Sequence, residues 1–190
     1  MKRVSLFLRR ERVRGDRSLL LEAIVRASGC DEADVRIDYS CRVCGSAEHG
    51  KPRVVSPAGW YVSLSRAETM VAVAVTRSAD VGVDITSVHA VTRADVNPVL
   101  RHPADDAVTG HDIAESWAAK EAVLKATGWG LHVEPSTVAI AEHEVQFWPE
   151  ELGLVDAPTL SFFEVDELVG VVAVLGQPGT IRLAMQSMGR

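Results

Sequence analysis

Residues 117–130 read WAAKEAVLKATGWG, a run of good helix formers that stops at Gly128, where a left-handed cap ends helices most easily. Two charges, Lys120 and Glu121, sit beside the apolar positions, and Trp117, Glu121 and Lys125 recur at a spacing of four, so one stripe carries an aromatic ring, an acid and an amine. A solvated Glu–Lys pair would explain this locally at a few tenths of a kcal/mol. A functional explanation needs partners elsewhere in the chain. One relation is visible at once: residues 121–128, EAVLKATG, echo residues 22–29, EAIVRASG, with Glu, Ala, Ala and Gly identical at a lag of 99 residues, about half of the 190-residue chain. Self-similarity at that lag predicts two related halves with a ligand cleft at their interface.

Working outward, residues 17–28 have the pattern of a helix, with Asp16 in the N-cap position and Gly29 just past the end. Strand-like runs follow at 60–64, 70–76 and 81–85, a shorter helix is expected over 93–100, and the second long helix covers 112–127. Further strand-like runs lie at 137–141, 145–148, 160–165 and 169–175. A long helix followed by strands on short turns, twice over, predicts an α+β fold of two similar lobes. Each lobe would be a helix packed on a small antiparallel sheet, related by a pseudo-twofold, with residues 1–95 and 96–190 as the halves.

The composition, 47% hydrophobic and 24% charged, is that of a globular chain with a real core. The longest apolar run, residues 168–176, is nine residues long, against the ~20 a spanning helix needs. The N-terminal MKRVSLFLRRERVR lacks a secretory apolar stretch, so a cytoplasmic protein without membrane association is expected. Charge is uneven: residues 1–26 hold eight Lys/Arg against three acids, a local +5, so the rest carries −11 of the total −6. A basic segment on an acidic protein favours a local polyanionic ligand over nucleic-acid wrapping; a solvated, arginine-rich terminus is the plainer alternative.

Cys30, Cys41 and Cys44 are an odd number, and the one C-x-x-C is followed by His49. Zinc held by these four side chains, a redox dithiol and reduced bystander thiols are the three alternatives, the last being the expectation because no closed zinc signature is present. Walker A, G-x-S-x-G, H-E-x-x-H and a well-placed G-x-G-x-x-G are all absent from the sequence, which removes the commonest nucleotide-binding and hydrolase templates. Asp84 lies in VGVDIT, at the end of an apolar strand where a carboxylate needs a cation. Together with Glu121 on a separate element it makes a carboxylate pair of the kind that holds Mg²⁺ beside phosphate oxygens.

HGKP (49–52), WYVSLS (60–65), VGVDIT (81–86) and WAAKEAVLKATGWGL (117–131) occur in the order and approximate spacing found in phosphopantetheinyl transferases. The chain resembles their monomeric, two-lobed Sfp-like branch from about Asp16 to the C-terminal FFEVDELVGVVAV segment. The resemblance implies Mg²⁺-dependent transfer of the phosphopantetheine arm of coenzyme A to a serine of an acyl, polyketide or peptidyl carrier protein. Adenosine 3′,5′-bisphosphate would leave. By position, Asp84 and Glu121 match the metal ligands, Glu121 also matches the residue that deprotonates the carrier serine, and Lys120 and Lys125 match the lysines that steady the pyrophosphate. Arg17 matches an arginine on the 3′-phosphate, Lys51 and Pro52 the segment beside the nucleotide, and Ser63 an S-H-S phosphate contact. Two positions depart from the pattern: Thr86 stands where a third acidic ligand is usual, and Leu64 replaces the histidine. They motivate an alternative, a non-catalytic descendant that binds coenzyme A or a carrier protein. Only one active site is expected, since Glu22 has no strand aspartate to match Asp84, and a monomer is expected because both lobes come from one chain.

Overall fold

The apolar positions of residues 2–10, KRVSLFLRR, alternate only between flanking charges, and the computed structural model shows them as the strand that organises the first half of the fold. The structure describes residues 1–10, 16–47, 50–92 and 100–189. β1 (Lys2–Arg10) is followed by α1 (Asp16–Ser28), β2 (Arg36–Asp38), β3 (Arg53–Ser56), β4 (Tyr61–Ala67), β5 (Met70–Thr76), β6 (Val81–Ser87), α2 (Val88–Val91) and α3 (Gly110–Thr127). Then come β7 (Ala139–Ala141), β8 (Glu144–Phe147), β9 (Thr159–Val165), β10 (Leu168–Val174) and β11 (Ile181–Ser187). The fold is α+β, as the order of elements predicts.

Two sheets carry the architecture, one ordered β11-β1-β5-β4 and the other β6-β10-β9; β1 and β11 run parallel and all other pairs antiparallel. The sheets pack face to face. Val4, Leu6 and Leu8 of β1 and Met70, Ala72 and Ala74 of β5 meet Val81, Val83 and Ile85 of β6 and Val172 and Val174 of β10. The opposite face of the first sheet, with Phe7, Val71, Val73 and Val75, receives Leu19, Leu20, Ala23 and Ile24 of α1. The opposite face of the second, through Val171 and Ala173, receives Ala118, Ala119, Ala122 and Ala126 of α3. The order is helix, sheet, sheet, helix, and it explains why β5 and β10 are buried at all seven positions: each is covered on both faces. Full burial of side chains such as Leu19, Leu20 and Ile24 contributes about 1.5–3 kcal/mol each.

The sheets do not divide the chain at residue 95. β6 hydrogen-bonds to β10 in the second sheet, and β11 returns from the C-terminal end to pair with β1, so each sheet takes strands from both sides of residue 95. β1 and β11 lie outside the predicted strands because charge hides the alternation of the first, and β11 is exposed at most positions. The helix expected at 93–100 falls outside the described residues apart from Leu100, as do Arg12, Arg14 and His49. α1 begins at Asp16, and the cap expected of its side chain lies outside the described residues. Among the described residues no helix is long and apolar enough to cross a membrane.

Candidate active site

α3 is buried almost all round, which is why its charges are not segregated to one side. Its start is fixed by a capping box, Thr109 accepting from the Asp112 N–H while the Asp112 carboxylate accepts from the Thr109 N–H. Its end is fixed by Gly128 at φ 82° and by two cations on the orphan carbonyls of the last turn. Arg42 donates to Thr127 O at 3.2 Å and Lys51 to Ala126 O at 2.6 Å. On the strand side, Gly82 lets β6 approach the helix backbone: a Cβ there would lie 1.8 Å from Ala122 O. Asp84, two residues on and on the same face of β6, is thereby brought against α3.

Asp84 is 6% exposed, and its Oδ1 accepts from Lys125 Nζ at 2.6 Å and from the Ser65 hydroxyl at 2.7 Å. Lys125 also reaches Ser65 Oγ at 3.2 Å. Glu121, 7% exposed, differs: its Oε1 is buried without a hydrogen-bond partner among the described residues. Burial pushes the Glu121 carboxyl up to about 7, with Lys125 opposing and the Asp84 charge adding to the rise. At the equivalent place in the echo, Glu22 is satisfied by Arg9 at 3.1 Å and Arg26 at 2.8 Å.

Glu121 and Lys125 stand in the wall of a cleft of about 1000 Å³, with Asp84 directly behind Lys125; the cleft lies between the end of α3 and residues 39–42 and 50–53. Of the residues singled out from the sequence, Arg17, Lys51, Pro52, Ser63, Leu64, Glu121 and Lys125 line it. The Arg17 guanidinium lies 4.5 Å from the Tyr39 ring centroid and donates to Ala47 O. Lys51 also pairs with Asp80 at 2.6 Å, and burial lowers its ammonium pKa against the opposing pull of Asp80. Ser63 has a structural duty: its Oγ accepts from Val83 N at 3.0 Å, and Ser65 Oγ accepts from Ile85 N at 3.3 Å. The two hydroxyls thus cover the edge of β6 that faces β4.

Three expected roles need correction or restriction. Lys120 is 0% exposed and points away from the cleft, donating to Leu100 O at 2.8 Å and pairing with Asp105. Asp105 in turn accepts from Ile140 N, so this ammonium holds the helix to the segment before it and, through Asp105, to β7, away from the cleft. Thr86 is buried and, like Asp84, is not among the residues that line the cleft; Asp84 nevertheless touches Lys125, which is. Several described cations of the basic N-terminal segment already have partners within the protein. Lys2 donates to Val174 O and Leu175 O, Arg9 pairs with Glu22, and Arg10 pairs with Asp166. Among its described cations only Arg17 lines the cleft.

The cysteines do not assemble as a four-ligand zinc set among the described residues. Cys30 accepts from the Ser28 hydroxyl at the end of α1, while Cys41 is in the cleft wall. The described cluster with metal-ligand geometry is a different one, His111, Asp112 and Glu115 near the start of α3. Sequence reasoning missed Tyr39, Arg42, Ser65, Asp80, Trp129 and His132. Arg42, 5.5 Å from the Trp129 ring centroid, carries no motif, and only the second serine of WYVSLS could have been found, from its period-two relation to Ser63.

Asp84 and Glu121 fit a divalent cation by their chemistry: hard oxygen donors from two elements, one of them an orphaned buried oxygen that a cation would satisfy. The lining cations Arg17, Arg42, Lys51, Arg53 and Lys125 outnumber the acids Asp80 and Glu121, on a chain whose net charge is −6. No protein-family model and no curated protein matches the chain.

Proposed function

We propose that the protein is a phosphopantetheinyl transferase that moves the phosphopantetheine arm of coenzyme A onto a carrier-protein serine. The observation that carries this reading is the unpartnered buried oxygen of Glu121, a residue of the cation-lined cleft whose carboxyl feels the Asp84 charge behind it. The four motifs that resemble the family lie on the elements that build that cleft. The two helix-and-sheet layers, with EAIVRASG and EAVLKATG ending α1 and α3, support the two-lobed architecture of the same family.

Arg17 and Lys51 bind the phosphates of the nucleotide end, and Tyr39 and Trp129 offer aromatic faces to its base. Lys125 stands where negative charge collects on the leaving phosphate, the preorganised kind of stabilisation that contributes most to such transfers. Ser65 holds Asp84, and through it Lys125, in place. Glu121, whose carboxyl is raised to about 7, takes the proton of the carrier serine hydroxyl in its ionised form. The serine oxygen then bonds to the phosphorus of the pantetheine arm as the bond to adenosine 3′,5′-bisphosphate breaks. A Mg²⁺ held by Asp84 and Glu121 would supply charge neutralisation for the pyrophosphate.

The test is to incubate the protein with coenzyme A, Mg²⁺ and apo carrier proteins of fatty-acid, polyketide and peptide type, then weigh the carriers. Gain of the pantetheine arm on at least one is expected, and Glu121→Gln abolishes it in a folded protein. No gain on any carrier overturns the reading. The second reading, a coenzyme A or carrier binder without transfer, is favoured by Thr86 and Leu64 standing where an acid and a histidine are usual. Tight coenzyme A binding, no transfer and no rescue by Thr86→Glu with Leu64→His would establish it.

A further inference from the structure

We propose that Cys41 and Cys44 are a redox dithiol in the loop that walls the cleft, closing to a disulfide by exchange with a small-molecule disulfide. Residues 41–45 form one helix-like turn, with Gly45 N donating to Cys41 O at 2.9 Å and Cys41 N donating to Ser46 O at 2.8 Å. Cysteines at the first and fourth positions of such a turn have Cα atoms about 5 Å apart, inside the span a disulfide bridges without backbone movement. The Cys41 sulfur accepts from the backbone N–H groups of Cys44 and Val43 and is in contact with the Cys44 thiol. His132 Nε2 lies 3.9 Å away on its other side. The two N–H donors, ahead of His132, hold the Cys41 thiol down to about 6 against the upward push of burial, so the nucleophilic thiolate is the main form at neutral pH. Arg42, between the cysteines, anchors the turn to Thr127 O.

The exchange balances in two steps. The Cys41 thiolate attacks one sulfur of the small disulfide, forming a mixed disulfide and expelling one thiolate. Cys44, exposed and adjacent, loses its proton and attacks the Cys41 sulfur, expelling the second thiolate. Two protein thiols are oxidised and one external disulfide is reduced to two thiols.

The experiment uses the full chain with oxidised glutathione at about pH 7, followed by alkylation under denaturing conditions, intact mass and peptide mapping. Alkylatable thiols should fall from the three of the untreated protein to Cys30 alone. The mass should drop by two hydrogens, and dithiothreitol should reverse the change. Cys44→Ser should trap glutathione on Cys41, and Cys41→Ser should slow modification of Cys44 by about tenfold, since the activated thiolate is gone. Three alkylatable thiols after oxidant, trapping on Cys30 in place of Cys41, or one tightly bound zinc per chain that protects the pair would each overturn the proposal. The readouts are independent of group transfer, so their failure leaves the transferase reading standing.

Discussion

At Glu121 the burial that raises the carboxyl to about 7 also sets how the fold responds to pH. Below the ordinary value of 4.5 both folded and unfolded chains hold the proton and its burial has no ionic cost. As pH climbs toward 7 the unfolded chain ionises first, so stability falls across that window and levels off above it. The gap amounts to ~3 kcal/mol, and Glu121→Gln should therefore raise the unfolding free energy at pH 8, though not at pH 4, while abolishing transfer. Thermal denaturation at the two pH values checks this, and Mg²⁺ at pH 8 should stabilise the parent protein and leave the variant unmoved. Lys120 behaves in the contrary sense. Replacing it with Met strands Asp105, whose side chain is 2% exposed, and should cost about 3–5 kcal/mol. Adding Asp105→Asn, which keeps an acceptor for the Ile140 N–H, should recover much of that loss in denaturant titrations. Carrier modification per folded molecule should stay close to the parent, which separates this lysine from Lys125. The pair also shows the limit of one-dimensional reading: neighbouring charges in WAAKEA diverge because Lys120 and Glu121 are about 100° apart around the helix, and what stands behind each depends on residues far along the chain.

Among the elements, β6 and α3 were legible as a strand and a helix from period and composition, and Asp84 and Glu121 as carboxylates needing a partner. Their separation was fixed by Gly82, whose missing Cβ sets how near the strand comes to the helix. Gly82→Ala would overpack that contact, at a cost of about 1–3 kcal/mol or more. It would also displace Asp84 from Lys125, so transfer should fall further than stability does; kcat and the denaturation midpoint measured together distinguish the two effects. β1 and β11 were less legible. The alternation of KRVSLFLRR is framed by cations whose partners, Glu22, Asp166 and the carbonyls of Val174 and Leu175, are remote in sequence.

For the whole molecule, the repeat of EAIVRASG and EAVLKATG predicts two halves, but a cut at the midpoint misses how the sheets are built: β6 joins the C-terminal strands and β11 the N-terminal ones. With the inner core shared by both sheets, neither half has a complete interior of its own. Unfolding followed by far-UV dichroism and by tryptophan fluorescence, which reports Trp60 in one half and Trp117, Trp129 and Trp148 in the other, should give superimposable transitions. Separate midpoints would show that the halves fold alone. The join between β4 and β6 is of another kind. There the ladder is replaced by Ser63 and Ser65, whose hydroxyls accept the Val83 and Ile85 amides. Water substitutes readily for a hydroxyl, whereas a register of paired amides must be broken along its length. The molecule should therefore have a grain, like split timber: amide exchange at Val83 and Ile85 is expected to be faster than at the paired amides of β10, and equal protection would show that this line is no weaker than the ladders.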